Sequence, residues 1–214
     1  MDIISIFKEL STGFKNTLLI FFLTAIMSIP LGVVIMLAKK SKFKPLSKLT
    51  SLIISIMRGT PLMLQLMFVY YGPAYLLGLS TLDRFTAVIV AFVFNYACYF
   101  AEIYRGGFES IPKGQYEAAQ VLGLSKSQTF FEIIIPQVTK IVLPSVTNEI
   151  ITLVKDTSLA FSIAVSETFT VARAMSARLS SLTPLVAVGI FFYVMNYIVA
   201  FVFDVFEKKL NYYR

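Results

Sequence analysis

The stretch Glu117-Ala118-Ala119-Gln120-Val121-Leu122-Gly123-Leu124-Ser125-Lys126-Ser127-Gln128-Thr129-Phe130-Phe131-Glu132-Ile133-Ile134-Ile135-Pro136 interrupts a chain that is apolar for long runs on either side of it. It carries charges, a helix stop and a second helix start. Gly123 tolerates the left-handed conformation at a helix C-terminus, so it ends a helix that begins near Pro112. Ser125 and Gln128 then make a Ser-x-x-Gln capping box for a second helix. The expectation is two short helices at an angle, held between apolar segments.

The flanking runs set the class. Hydrophobic residues make up 57% of the chain and charged residues 14%, against about a quarter charged in soluble domains, and the mean hydropathy is +0.77. The chain reads as an all-α membrane protein. Its 214 residues have room for about five or six spans of roughly 20 residues each, hence a single transmembrane domain over 1–214. The net charge of +7 does not imply nucleic acid, because the basic residues sit beside apolar runs, as the positive-inside rule expects. Cys98 is the only cysteine and lies in an apolar run, so no disulfide forms within the chain. With no histidine and no cysteine pair, no ordinary zinc or redox site is expected. There is no Gly-x-x-x-x-Gly-Lys-Ser/Thr stretch, so ATP hydrolysis is not expected in this chain, and the missing histidine removes the usual serine or cysteine triad. No catalytic residue is expected.

Working outward, residues 2–11 place Ile3, Ile4, Ile6, Phe7 and Leu10 among Asp2, Lys8 and Glu9, a pattern that fits a short amphipathic helix on the membrane surface. The start is not basic and no small-residue cleavage site follows, which argues against a cleaved signal peptide. A first span covers residues 14–38. The loop after it holds Lys39, Lys40, Lys42, Lys44 and Lys48 with no acid. That loop is expected in the cytoplasm and the N-terminus outside. Further spans follow at about 49–77, 85–104, 143–159 and 182–206, with external connections at 78–84 and 161–181. The tail residues Lys208, Lys209 and Arg214 return the C-terminus to the cytoplasm. The external segment at 161–181, with Glu167, Arg173 and Arg178, reads equally as a gate helix, a receptor surface or a partly buried lid.

Polar groups within the spans mark the functional candidates. Arg58 lies ten residues beyond Lys48, roughly 15 Å deep if the helix stands upright. Gly59-Thr60-Pro61 loosens the helix just after it. A central arginine costs at least about 2.5 kcal/mol on insertion scales, so it needs a partner or a function. Two readings stand side by side, an ion pair with Glu149 or Asp156 and recognition of a substrate carboxylate. Gln65 is placed on the same path. In the third span Asn95, Tyr99 and Glu102 share one helix face, within about 60° of one another, which fits either a cavity wall or, for Glu102, a partner for Arg105. In the fourth span Ser145, Glu149, Thr152 and Asp156 cluster within about 60°, flanked by Asn148 and Lys155. Such a stripe must face protein or water.

The pattern Glu117-Ala118-Ala119, three residues, Gly123, nine residues, Ile133, one residue, Ile135-Pro136 resembles the EAA signature of the membrane subunits of ABC importers, with Ile135 where leucine is commoner. Arg58-Gly59-Thr60-Pro61, the run 101–107 and Lys155-Asp156-Thr157-Ser158-Leu159 resemble elements of the polar amino acid uptake subgroup. The resemblance implies a type I importer fold of about five transmembrane helices with a cytoplasmic two-helix coupling segment at 110–136. It implies docking of Glu117, Ala118, Ala119, Gly123 and Leu124 on a separate ATPase that holds ATP and Mg. Also implied are a second copy of the permease or a paralogue, an extracytoplasmic amino-acid-binding protein, and a prokaryotic inner or cytoplasmic membrane. The substrate-binding candidates are then Arg58, Thr60, Gln65, Asn95, Tyr99, Glu102, Glu149, Asp156, Thr157 and Ser158. Arg58, helped by Thr157 or Ser158, would take an α-carboxylate. Glu102, Glu149 or Asp156 would take an amino group or a cationic side chain, which leans toward arginine, histidine or lysine. The competing class is an ion-coupled secondary transporter or channel using Arg58, Glu102, Glu149 and Asp156. Such a protein has no need of the two-helix segment.

Overall fold

A computed structural model describes residues 3–210, and within them the chain is almost entirely helical, with no strand. Asp2 and Arg214 lie outside the described residues. Helix α1 is Ile3–Lys39, α2 is Lys44–Gly59, α3 is Leu62–Leu77, and α4 is Arg84–Glu109. Helix α5 is Lys113–Val121, and α6, a single turn at Lys126–Gln128, runs through a π-helical turn at Thr129–Ile134 into α7, Ile135–Asp156. A 3₁₀ segment at Thr157–Ile163 leads to α8, Thr168–Leu179, and α9, Thr183–Leu210. Ile4–Lys39, Arg84–Glu109, Lys126–Ile163 and Thr183–Lys209 are each long and apolar enough to cross a membrane, and the pair α2–α3, bent by 112°, supplies a fifth crossing if it counts as one.

The protein is organised around α4. Val88, Phe92, Tyr96 and Phe100 on it are almost wholly buried, packed with Ile20 of α1, Leu66 of α3 and Leu153 and Val154 of α7. The outer faces of α1 and α9 stay apolar and exposed, as at Phe22, Ile26, Val34, Tyr193, Tyr197 and Phe201. Exposed apolar faces of this extent belong in lipid.

Three sequence expectations change. The N-terminal segment is not a separate surface helix. It continues without a break into the first span, so that α1, 37 residues long, extends roughly 55 Å and outreaches a hydrocarbon core of about 30 Å. Its apolar face goes to protein. Ile6 and Leu10 pack with Ala172, Met175, Ala187 and Val188, and Glu9 accepts from Arg178 at 2.7 Å. Gly13 permits the close approach, since a Cβ there would stand 2.6 Å from backbone atoms of Glu167 and Thr168.

The second correction concerns the span at 49–77, which is not one helix but two meeting at Thr60-Pro61. The third concerns Pro136. Gly123 ends α5 in the left-handed region at φ 73°, with the Leu124 N–H donating to the Ala119 carbonyl at 3.0 Å. The Ser125–Gln128 capping box forms in both directions, at 2.9 and 3.2 Å. The helix it starts, however, runs on past Pro136 as the beginning of the fourth span. Proline lacks the N–H that an α-register would aim at Glu132. The preceding wide turn, in which the Ile135 N–H donates to Phe130, shifts the register so that the helix continues.

Candidate functional site

The bend between α2 and α3 is where the site begins. A continuing α-helix would pair the Met57 carbonyl with the N–H of residue 61, and Pro61 has none. Side chains supply the missing donors. Gln65 Nε2 donates to the Met57 carbonyl at 2.8 Å, the Thr60 carbonyl at 3.0 Å and Thr60 Oγ1 at 2.8 Å. Asn95 Nδ2, from α4, donates to the Met57 carbonyl at 3.2 Å and to Gln65 Oε1 at 2.8 Å. Gln65 and Asn95 are both buried. The Thr60 hydroxyl in turn donates to the Ile56 carbonyl at 2.8 Å. All three residues are expected along the substrate path; the structure pairs their polar groups with one another and with backbone carbonyls, Gln65 and Asn95 in the interior and Thr60 at an exposed position.

Arg58 sits just before the bend. Its guanidinium lies over the Tyr99 ring, 5.3 Å from the centroid, and 3.8 Å from Glu102 Oε2. Glu102 also receives Lys39 Nζ, from the end of α1, and Arg105, whose Nη2 and Nε lie at 2.8 and 3.1 Å. The ion pair expected with Glu149 or Asp156 is therefore made with Glu102. The depth argument failed because it assumed an upright, straight helix. The 112° turn carries Arg58 to the level of Lys39, toward the lysine-rich end of the bundle. Arg58, Tyr99, Glu102, Lys39, Ser51 and Ser55 line an open cavity of about 610 Å³. With three cations around it, Glu102 has no charge left for a fourth.

On α7 the polar stripe stands on an exposed face, with Ser145, Asn148, Thr152 and Lys155 exposed and Glu149 and Asp156 partly so. Asp156 accepts from the Tyr96 hydroxyl at 2.7 Å, which ties the stripe to α4. Neither Glu149 nor Asp156 forms an ion pair among the described residues, although Arg58 lies within electrostatic reach of Glu149. Thr157 is fully buried and donates to the Val154 carbonyl at 2.7 Å; Ser158 donates to the Lys155 carbonyl at 2.7 Å. Both hydroxyl hydrogens are thus given to their own helix end. Of the sequence candidates, Arg58, Tyr99 and Glu102 come together, and Glu149 and Asp156 form a second group.

At the far end of the polypeptide's turn between α4 and α7, Val121 and Leu122 are 87% and 77% exposed, a bare apolar tip on a polar segment. Glu117 and Ala118 are exposed beside it, while Ala119 is buried. The family described as the binding-protein-dependent transport system inner membrane component matches residues 28–212. The chain belongs to this family. Among its relatives the arginine transport system permease protein ArtQ of Bacillus subtilis is 38% identical over 93% of this chain and 91% of its own length. The L-cystine transport system permease protein TcyB of the same organism is 35% identical over 98% and 89%. A crystal structure of an amino acid ABC transporter superposes with a TM-score of 0.87 at 30% identity, covering 98% of this chain and 99% of that one. The architecture is thus that of a type I ABC importer permease, a multi-pass component of the inner membrane.

Two contributors to this family member's site escaped the sequence reading. Lys39 was used only to orient the chain, although it ends α1 beside Glu102. Tyr96, three residues before Tyr99, is not among the residues that the sequence singles out, although it pairs with Asp156. An aromatic hydroxyl in the middle of a buried helix needs an acceptor, and that was the available signal.

Proposed function

We propose that the chain is the translocation subunit of an ATP-driven importer of polar amino acids, chiefly basic ones such as arginine, histidine or lysine. Residues 1–214 act as one permease domain in which 110–136 is the coupling segment. It works with a second copy or a paralogue, with a separate ATPase holding ATP and Mg, and with an extracytoplasmic amino-acid-binding protein. The lysine-rich loop and the C-terminus face the cytoplasm and the N-terminus faces outward, which the lysine count supports. Val121 and Leu122 fit an apolar groove on the ATPase, in the manner of a helix laid into a partner.

The observation that carries the substrate reading is the pair of carboxylates, Glu149 and Asp156, on an exposed polar face and in no ion pair among the described residues, with Arg58 facing Glu149 and Lys155 facing Asp156 at longer range. A guanidinium suits an α-carboxylate by paired hydrogen bonds. The unmatched acids suit an α-amino group and a cationic side chain. Their relation to an arginine permease supports the same reading. Glu102, already matched by Lys39, Arg58 and Arg105, moves from ligand to scaffold. Arginine uptake by the assembled transporter in vesicles tests this. Glu149→Gln and Asp156→Asn are expected to raise KM for arginine by about tenfold or more, the scale of a lost charge-assisted contact. An unchanged KM in both variants contradicts a basic substrate. Glu102→Gln is expected to lower the amount of assembled transporter, because it leaves Lys39 and Arg58 without a carboxylate partner while Arg105 keeps Glu109.

A further inference from the structure

We infer that Gln65 and Asn95 are positioning residues, which replace the hydrogen bonds that Pro61 removes and so hold Arg58 against Tyr99 and Glu102. The arithmetic of donors and acceptors supports this. Proline at position 61 strips the Met57 carbonyl of its helical donor, and the Thr60 carbonyl is left over as well, because the Leu64 N–H turns to Pro61 at 3.0 Å. Two primary amides carry four hydrogens, two on each nitrogen. Gln65 Nε2 and Asn95 Nδ2 direct them at the Met57 carbonyl, the Thr60 carbonyl and hydroxyl, and Gln65 Oε1. Four hydrogens thus serve four acceptors at the bend, and the lock reaches α4 through Asn95.

Its consequence lies one residue along α2 and one turn along α4. Met57 precedes Arg58 directly, and Asn95 stands four residues, one helical turn, before Tyr99. Tying the Met57 carbonyl to Asn95 therefore ties Arg58 to the turn of α4 that carries Tyr99 and leads on to Glu102. A 112° bend held only by a missing bond would be a hinge; held by these amides it is a fixed corner. Buried amides left half paired have no water to turn to, so the corner stays closed and fixes Arg58 at the end of α2. This inference rests on the proposed role of Arg58 in substrate binding.

The test uses the assembled transporter in vesicles, with Cys98 replaced by alanine and spin labels on cysteines introduced at the exposed positions Leu52 of α2 and Phe68 of α3. The parent is expected to show one narrow distance distribution. Gln65→Leu, which removes both donors at similar size, is expected to broaden or shift it and to raise KM for arginine by about tenfold. Thr60→Val, a milder change that keeps both amides paired to Met57, is expected to leave the distance in place, and Gln65→Leu with Asn95→Leu is expected to raise KM little beyond Gln65→Leu alone. An unchanged distance with a raised KM overturns the inference, since Gln65 would then touch substrate itself. A changed distance with an unchanged KM overturns it too, because the corner would not set the site. If the parent does not take up arginine, the basic-substrate reading fails on its own, and the same comparison is made with whichever of cystine or another polar amino acid the parent transports. Should Gln65→Leu fail to assemble, Asn95→Asp, which keeps the size and loses the donors to Met57 and Gln65, is expected to give the same shift.

Discussion

Glu167 shows how one side chain places an element. Fully buried, it receives the N–H groups of Phe169 and Thr170 at 2.7 and 2.6 Å and the Thr170 hydroxyl at 2.8 Å, and so caps α8. Burial holds its carboxyl above the usual range in spite of these donors. The folded protein then binds the proton more tightly than the unfolded chain. The stability contributed at this site is present below the unfolded carboxyl's pKa and declines as pH rises through the folded one. Glu167→Gln is expected to flatten that part of the pH dependence of thermal unfolding. Glu167→Ala is expected to lower stability by about 1 kcal/mol through loss of the cap, read as a drop in unfolding temperature in detergent. The gate, receptor-surface and lid readings of the 161–181 segment do not include this cap, although an acid standing just ahead of a helical run is a local signal for one. Arg58 was equally legible as an anomaly. Its partner was not, because partner choice follows from how α1, α2 and α4 approach one another, which no count along one helix contains.

The α5–α6 corner is the element that the chain spells most completely. Gly123 takes φ 73°, the capping box closes at Ser125, and both follow from residue types whose geometry is local. Non-local packing joins this corner to the spans. Phe108 of α4 stacks on Phe130 of the π turn with centroids 6.0 Å apart, and Gln137 Nε2 donates to Gln115 Oε1 at 3.2 Å. A push on the corner therefore reaches α4 and α7 together. Gly123→Pro, which cannot take a positive φ, is expected to leave the spans inserted and to separate ATP hydrolysis from amino-acid uptake. The check is the ratio of the two rates in vesicles, expected to rise at least about tenfold if coupling is lost. The continuity of α6 with α7 and the angle at Thr60-Pro61 were not legible. Proline marks where a helix is weakened, whereas neighbouring side chains decide whether the weakness becomes a π turn, as before Pro136, or a corner, as at Pro61.

Across the whole molecule, composition and lysine distribution suffice for a bundle of about five crossings, since each span is its own apolar run. What they omit is which helix lies at the centre. Helix α4 holds that place because Ala87, Ala91, Ala97 and Ala101 let neighbours approach while Phe92, Tyr96 and Phe100 fill the space between them. From that core the two polar groups, Arg58 with Tyr99 and Glu102, and Glu149 with Asp156, are held on α2, α4 and α7, and the coupling corner joins α4 to α7. Under the proposed function, this chain moves an amino acid only when a separate subunit hydrolyses ATP. The direct measurement is accumulation of labelled arginine in vesicles holding this chain with and without its ATPase subunit, with ATP supplied on the side of the lysine-rich loop and ion gradients collapsed. Accumulation that requires both the ATPase and ATP is the expected result; accumulation by this chain alone, driven by an imposed ion gradient, would contradict it.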